Sequence, residues 1–216
     1  GENAMGNEDL YQTLAEKIGT PSERIEKLWK VLCDEEEARL LLAMPGTVEE
    51  LAEKTGRKPE KTQPMVDLLF RKGVVFDREK EGVVTYSMAR HLIQFHDATI
   101  LWPEAPAGFF DQWQEFMDEE YPAIAQALVA MGLPAFTRVI PVDAPMEGGG
   151  SQILPFENAL KIVDDARSLA VTACTCRLTA RKCESPVEVC LQLNRAAEYT
   201  IKRGTGREVT KEEAKE

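Results

Sequence analysis

Four of the five cysteines in this chain of 216 residues fall within seventeen consecutive positions near the end of the sequence. They are Cys174, Cys176, Cys183 and Cys190, spaced C-x-C-x6-C-x6-C. Thiols so close in sequence must share a small volume, so they constrain the local fold more than any apolar pattern does. The chain around them must bind a metal or cluster, form disulfides, or hold the thiols apart.

Three outcomes compete for these thiols. An iron–sulfur cluster takes four thiolates from short spacings, with backbone N–H donors and positive charge nearby. Zinc takes the same four ligands but favours pairs separated by two to four residues, which this spacing fits poorly. The third outcome is thiols without a metal, or disulfides. The spacing favours the cluster, although it departs from the C-x2-C-x2-C-x3-C run of bacterial ferredoxins and predicts no ferredoxin fold.

A helix start is predicted between the last two cysteines. Ser185 is a preferred N-cap type, Pro186 fits the first helical position, and Glu188 completes a Ser-x-x-Glu capping box. The helix would run from Pro186 to Arg203 and end at Gly204, a favourable C-cap residue.

This predicted helix would act on the thiols at its start. Cys183 would lie just before the helix and Cys190 one turn inside it, where the positive end of the helix dipole favours the thiolate. A tight loop would carry the first cysteine pair. Arg177, with Ser185 and Glu188 at the helix start, is predicted to support the ligands from around the site.

Charge is distributed unevenly along the chain. The formal net charge of −11 opposes a general affinity for nucleic acid, because neutralised phosphates supply most non-specific binding. Residues 174–207 differ, with seven basic and three acidic side chains. Such a basic patch suits an anionic cluster or an acidic partner.

Three blocks of sequence carry a family resemblance. They are Ala173-Cys-Thr-Cys-Arg177, Cys183-x-x-Pro186-x-Glu188-x-Cys190-Leu191 and Arg203-Gly-Thr-Gly206-Arg207-Glu208-Val-Thr-Lys-Glu-Glu213-Ala214. With these blocks the chain resembles a family of uncharacterised 4Fe-4S-binding, ferredoxin-associated proteins of anaerobic bacteria and archaea. The resemblance implies an N-terminal winged helix, a middle α/β segment and a [4Fe-4S] cluster on the four cysteines.

The end of the sequence departs from that family. Many members continue into a ferredoxin module with two conventional cluster motifs. This sequence stops at Glu216 without a C-x2-C-x2-C run. The resemblance therefore leaves open whether the module is missing from the sequence in hand or whether this member lacks it.

The remaining pattern predicts an α+β fold that is mostly helical. Residues 5–90 read as a winged-helix domain, residues 91–134 as a helical connector, and residues 135–216 as a small α/β domain with the four-cysteine metal or cluster site. In the first domain, helical periodicity is followed by a hairpin within residues 74–87. Helices followed by a hairpin in this order are typical of a winged helix.

The third helix of a winged helix can enter a DNA groove, and residues 58–72 take that place here. The candidate DNA contacts are Lys58, Lys61, Gln63 and Arg71. Acidic residues on the same elements bring the local charge close to neutral, which is weak for a groove reader that must first attract phosphates. The sequence therefore favours a protein-docking or packing role for this module, with DNA binding as the alternative.

The connector contributes an aromatic stripe and two histidines. The stripe consists of Phe109, Phe110, Trp113, Phe116 and Tyr121. At this spacing it predicts buried core, with a homodimer or partner face as the alternative. The histidines, His91 and His96, lie five residues apart, so packing or surface roles are predicted rather than a joint metal site.

The residues that precede the cysteines are predicted to form strands and a helix in alternation. Strands are predicted at Phe136–Val142 and Gln152–Pro155, with a glycine-rich loop between them that lacks the Gly-Lys-Ser/Thr of a phosphate loop. A helix from Phe156 to Arg167 and a strand at Leu169–Ala173 then lead to Cys174. After Thr210, a last helix is predicted to begin.

No catalytic set emerges, because no nucleophile has a credible histidine partner in the sequence. The leading hypothesis is a cytoplasmic iron–sulfur protein, not an enzyme, that transfers electrons or acts as a redox accessory to a protein partner. A redox-responsive winged-helix transcription regulator and a zinc-stapled interaction domain are the alternatives. The cysteine pattern favours a reducing cytoplasm, and no apolar run predicts a membrane span.

Overall fold

The structure, a computed structural model, describes residues 7–132 and 156–216. Over these residues the protein is α+β and mostly helical, which confirms the predicted class. The predicted strands at Phe136–Val142 and Gln152–Pro155, with the glycine-rich loop between them, lie outside the described residues. No helix in the described part is long and apolar enough to cross a membrane.

Contacts divide the described residues into two compact units. The first comprises the residues up to Glu119 together with Cys174–Val187, and the second comprises those from Glu120 to Ala173 together with Glu188–Glu216. The cysteine segment is thus shared between the two units along the sequence. The predicted domain limits at residues 90 and 134 fall elsewhere and stay predictions.

Five helices open the first unit. They are α1 Asn7–Lys17, α2 Glu23–Leu32, α3 Glu35–Ala43, α4 Val48–Lys54 and α5 Pro59–Lys72. Local hydrogen bonds fix their starts, because Ser22 caps α2 while Asp34 and Thr47 each form a complete capping box. Gly73, in the left-handed conformation, ends α5.

A hairpin follows α5. Strand β1 Val75–Lys80 pairs antiparallel with β2 Val83–Met88. Glu81 and Gly82 both have positive φ, as the two-residue turn that suits the twist of a hairpin requires. The predicted hairpin is confirmed, while the winged-helix assignment itself stays a prediction.

Two further helices, α6 Leu92–Ile100 and α7 Phe109–Glu119, supply the aromatic core of the first unit, and α8 Tyr121–Ala130 opens the second. Phe109, Trp113 and Phe116 are fully buried, which confirms that most of the stripe is core. Trp29 of α2 stacks on Phe95 of α6 with ring centroids 4.3 Å apart. These large rings give the first unit a fixed apolar centre.

The rest of the chain adds elements to both units. They are α9 Phe156–Asp165, β3 Leu169–Ala173, α10 Thr175–Ala180, β4 Glu188–Leu193, α11 Arg195–Arg203, β5 Gly206–Glu208 and a 3-10 turn Glu213–Lys215. In the second unit, β3 lies between β4 and β5 in an antiparallel sheet. Its core includes Val163, Ala166, Leu169 and Val209. The predicted helix α9, strand β3 and Gly204 C-cap are confirmed.

The helix predicted from Pro186 is wrong over its first half. Residues 188–193 form β4, and the helix α11 begins only at Arg195. Leu191 and Leu193 stand opposite Val171 and Leu169 of β3 and pack on the core of the second unit. Burying these leucines on the sheet outweighs the local capping signal at Ser185.

Two smaller predictions are also wrong. The first cysteine pair lies at the start of the helix α10, not in a tight loop, with Cys174 as its N-cap residue. After Thr210 the chain makes only the short 3-10 turn, although Thr210 and Glu213 exchange the hydrogen bonds of a capping box.

Candidate functional site

The four candidate ligands lie on different local structures. Cys174 caps α10, Cys176 lies in its first turn, and Cys183 lies in the exposed, irregular segment that follows. These three belong to the first unit, whereas Cys190 lies on β4 in the second. All five cysteines are described, and none of them forms a disulfide.

The segment Cys174–Val187 is held against α6 and α7 within the first unit. Thr175 Oγ1 donates to Asp97 Oδ1 of α6 at 2.9 Å. Two basic side chains reach carboxylates of α7: Arg181 pairs with Asp111, and Lys182 lies 3.5 Å from Asp118. The Cys174 amide also donates to the Val187 carbonyl at 2.6 Å. The segment is therefore closed on itself and anchored at three points.

Cys174 and Cys176 lie side by side. Their side chains are hydrogen-bonded, and this contact helps to raise the pKa of Cys176. Partial burial of the thiol is the largest cause of that raised pKa, followed by the nearby Cys174 and the Asp97 carboxylate. Cys176 therefore favours the protonated thiol until a metal or another cation replaces the proton.

Cys183 has the opposite tendency. It is exposed, and hydrogen bonds from the Ser185 side chain and backbone, with the charge of Arg177, lower the pKa of its thiol. Arg177 also donates to the Pro186 carbonyl, which places its guanidinium at this turn. Arg177 and Ser185 thus favour the Cys183 thiolate through hydrogen bonds and charge at a turn, and their role around a bound cluster stays a prediction.

Glu188 and Cys190 do not take the predicted helical positions. Glu188 begins β4, and its carboxylate lies 3.7 Å from Arg207 Nε. Cys190 is half-buried on the same strand opposite Thr172, and its carbonyl accepts a hydrogen bond from Thr172 Oγ1 at 3.5 Å. No helix begins at Ser185, so the predicted helix start there, with its dipole at the ligands, is wrong.

The donor chemistry fits a thiolate-bound metal or cluster, but the positions do not form a finished site. In residues 7–132 and 156–216, no three His, Cys, Asp or Glu side chains are arranged to hold a metal ion. Cys176 is hydrogen-bonded to Cys174, and Cys183 to Ser185, while the charge of Arg177 acts on Cys183.

The two histidines have the surface and packing roles that the sequence predicted, His91 at the surface and His96 in the core. His91 caps α6 through its Nδ1, which accepts from the Gln94 amide at 3.2 Å. His96 is 5% exposed, and its Nδ1 lies 2.9 Å from Asp97 Oδ1. Sequence reasoning missed Asp97 and Thr175, because they lie 78 positions apart and only the fold brings them into contact.

The candidate DNA contacts do not form a basic surface. Lys58 and Lys61 are exposed, but Gln63 Nε2 donates to Asp67 at 2.7 Å. Arg71 makes a two-point ion pair with Glu104. Of the three charged candidates, Arg71 is therefore paired with an acidic residue, which reduces the positive charge that α5 could offer to phosphates.

Comparisons of the chain with protein-family models, curated proteins and solved structures found no match. The resemblance to 4Fe-4S-binding proteins therefore stays a prediction.

Proposed function

We propose that this chain binds a [4Fe-4S] cluster through Cys174, Cys176, Cys183 and Cys190 and serves as an electron-transfer or redox accessory protein. The observation that carries the proposal is the state of the thiols. Cys174 and Cys176 lie side by side without a disulfide, and Cys183 is an exposed thiol whose ionisation Ser185 and Arg177 favour. Such thiols are ready donors for a soft metal.

The unfinished geometry is compatible with this proposal because metal binding and local ordering are coupled. Thiolate ligands seldom hold their bound arrangement before the metal arrives, and the binding free energy orders the chain around it. Residues 183–187, which follow the two anchored basic side chains, have room to do so, since every one of them is exposed. The first pair, anchored through Thr175, would receive the metal while the rest of the segment closes.

Cysteine spacing supports a cluster over zinc. One residue separates the first pair and six separate the next cysteines, whereas zinc sites favour pairs two to four residues apart. The Arg177 charge beside Cys183 also suits an anionic cluster. Zinc is the alternative occupant, and it would make the segment a structural staple.

Electron transfer is proposed rather than catalysis. Four cysteine ligands would leave no protein-ligand position open for a substrate on the metal. A cluster held in this way exchanges electrons with a protein redox partner, for which a reducing cytoplasm is the compatible compartment. Regulation of transcription through α5 is less favoured, because Gln63 and Arg71 are bonded to acidic neighbours.

Anaerobic reconstitution with ferrous iron and sulfide tests the proposal. We expect visible absorbance in the native chain, and its loss in four single variants, C174A, C176A, C183A and C190A. The matched control is Cys33→Ala, because Cys33 is buried in the first unit and lies far along the sequence from the segment. Equal absorbance in all five variants, or none in the native chain, would contradict the proposal. A colourless chain that retains one zinc would support the alternative occupant.

A further inference from the structure

Asp97 connects the buried core of the first unit to the cysteine pair. Its Oδ1 lies 2.9 Å from His96 Nδ1 and accepts a hydrogen bond from Thr175 Oγ1, also at 2.9 Å. One carboxylate oxygen is thus shared by a core histidine of α6 and by the residue between Cys174 and Cys176. Nothing in the proposed ligand set assigns a role to this contact.

Thr175 is well placed to control the two cysteines that flank it. It is 8% exposed and is the first residue of α10. Its carbonyl accepts a hydrogen bond from Thr179 Oγ1 at 2.7 Å, in addition to the contact of its own hydroxyl with Asp97. The Thr179 bond lies within α10, whereas the contact with Asp97 joins α10 to α6 and restricts the rotation of α10 about its axis. The directions in which Cys174 and Cys176 leave the helix are fixed with it.

His96 in turn fixes the carboxylate. Its ring is 5% exposed and meets Trp113 edge to face, with centroids 4.8 Å apart. No described residue forms a hydrogen bond with its buried Nε2. The tautomer that meets the observed contacts therefore carries the ring proton on Nδ1, where it donates to Asp97. The orientation of the Asp97 carboxylate is set by a ring that the core holds rigidly.

We propose that Asp97, oriented by His96, is a positioning residue that holds Thr175 and thereby presents the Cys174 and Cys176 sulfurs to a metal at a fixed separation. The proposal rests on the proposed function, since it names what prepares one half of the ligand set. Groups that hydrogen-bond behind metal ligands commonly contribute 10- to 100-fold to metal affinity. Asp97 would act on the ligands by holding Thr175 of α10, and not by a direct bond to a ligand sulfur.

A cobalt(II) titration of the full chain under anaerobic conditions tests this role. We expect Asp97→Ala to weaken cobalt binding by roughly 10- to 100-fold and to reduce the thiolate-to-cobalt charge-transfer band. Asp97→Asn keeps an acceptor oxygen for both neighbours and should restore most of the affinity. The control is Asp118→Ala, which removes an exposed partner of the same segment and should change the affinity little.

A second pair of variants keeps the test informative if Asp97→Ala does not fold. Thr175→Val removes the donating hydroxyl while keeping the side-chain shape, and it should weaken cobalt binding as Asp97→Ala does. Thr175→Ser keeps the hydroxyl and should restore cobalt binding. Circular dichroism of each variant shows whether the fold is retained. Equal losses in Asp118→Ala and Asp97→Ala would overturn the proposal, because they would indicate general loosening of the segment.

A metal-free readout separates this proposal from the proposed function. Phenylarsenoxide bridges two thiols that lie close together, so its affinity reports the separation of the Cys174 and Cys176 sulfurs in a background of C33A, C183A and C190A. We expect Asp97→Ala and Thr175→Val to weaken this binding. If they do while the native chain binds no metal, the positioning role holds and the proposed function fails. Unchanged arsenical binding would overturn the positioning role, whatever cobalt shows.

Discussion

At the scale of single residues, the thiols of one short segment differ in chemical state. Burial, Cys174 and Asp97 raise the pKa of Cys176, whereas Ser185 and Arg177 lower that of Cys183. Burial also raises the pKa of Cys33 strongly, so that this thiol stays protonated and unreactive. A reagent that attacks thiolates should therefore distinguish these three cysteines.

Alkylation of the metal-free chain measures that difference. Because the Cys183 pKa is lowered and the Cys176 pKa is raised, Cys183 should reach half of its maximal iodoacetamide rate at a lower pH than Cys176. Mass spectrometry of the digested protein reports each site separately. The same midpoint for both cysteines would contradict the account of their surroundings.

Ser185 is the strongest contributor at Cys183, through its side chain first and its backbone second. Ser185→Ala should therefore move the Cys183 alkylation midpoint to higher pH, because the thiolate loses a hydrogen-bond donor. Ser185→Thr keeps the hydroxyl and serves as the control. If both variants behave like the native chain, another group must stabilise the Cys183 thiolate.

At the scale of elements, a buried ion pair joins three helices of the first unit. Lys72 Nζ, on α5, donates to the Leu32 carbonyl at the end of α2 at 2.7 Å and lies 3.3 Å from Glu37 Oε2 of α3. The two side chains are only 13% and 9% exposed. Removing Lys72 would leave the nearly buried Glu37 carboxylate without a counter-charge, although it would still accept from the Asp34 amide.

We expect Lys72→Met to lower the free energy of unfolding of the first unit by about 2–4 kcal/mol. The three tryptophans all lie in that unit, so urea denaturation followed by their fluorescence reports its unfolding. Lys61→Met, an exposed change on the same helix, should stay within about 0.5 kcal/mol of the native chain. A loss no larger than that of the control would show that the pair is not stabilising.

In the second unit, Gly206 allows β5 to pass close to α11. A Cβ atom at this position would lie 2.6 Å from Thr200 Oγ1 and 2.9 Å from Thr200 Cβ. Gly206→Ala should therefore destabilise the sheet by about 1–3 kcal/mol, seen as faster hydrogen exchange of the β3 amides. Adding Thr200→Ala should recover part of the loss. Native exchange rates in Gly206→Ala would contradict the close approach.

The sequence was informative about elements wherever local chemistry agreed with packing. The capping box at Thr47 and the glycine that ends α5 are local signals, and the structure confirms both elements. After Ser185, local and non-local signals disagree. Val189, Leu191 and Leu193 alternate with polar or small residues, as in a half-buried strand, and pairing with β3 decides the outcome. That alternation was the signal to weigh against the capping box.

At the scale of the whole molecule, the sequence predicted which cysteines are candidate ligands but not which residues surround them. Four thiols in seventeen residues predict a common site, yet three fall in one compact unit and Cys190 in the other. The contact of Asp97 with Thr175 had no sequence signal, because it depends on how α6 and α10 pack. The candidate ligands can thus be predicted from the sequence, whereas the residues that position them are known only from the tertiary structure.

The central claim is that these cysteines hold an iron–sulfur cluster, and metal analysis of the anaerobically purified chain tests it most directly. Iron, sulfide and zinc are measured in the native chain and in Cys174→Ala and Cys190→Ala. The account predicts about four irons and four sulfides per native chain, lost in both variants. A native chain that is folded and contains neither iron nor zinc would contradict it.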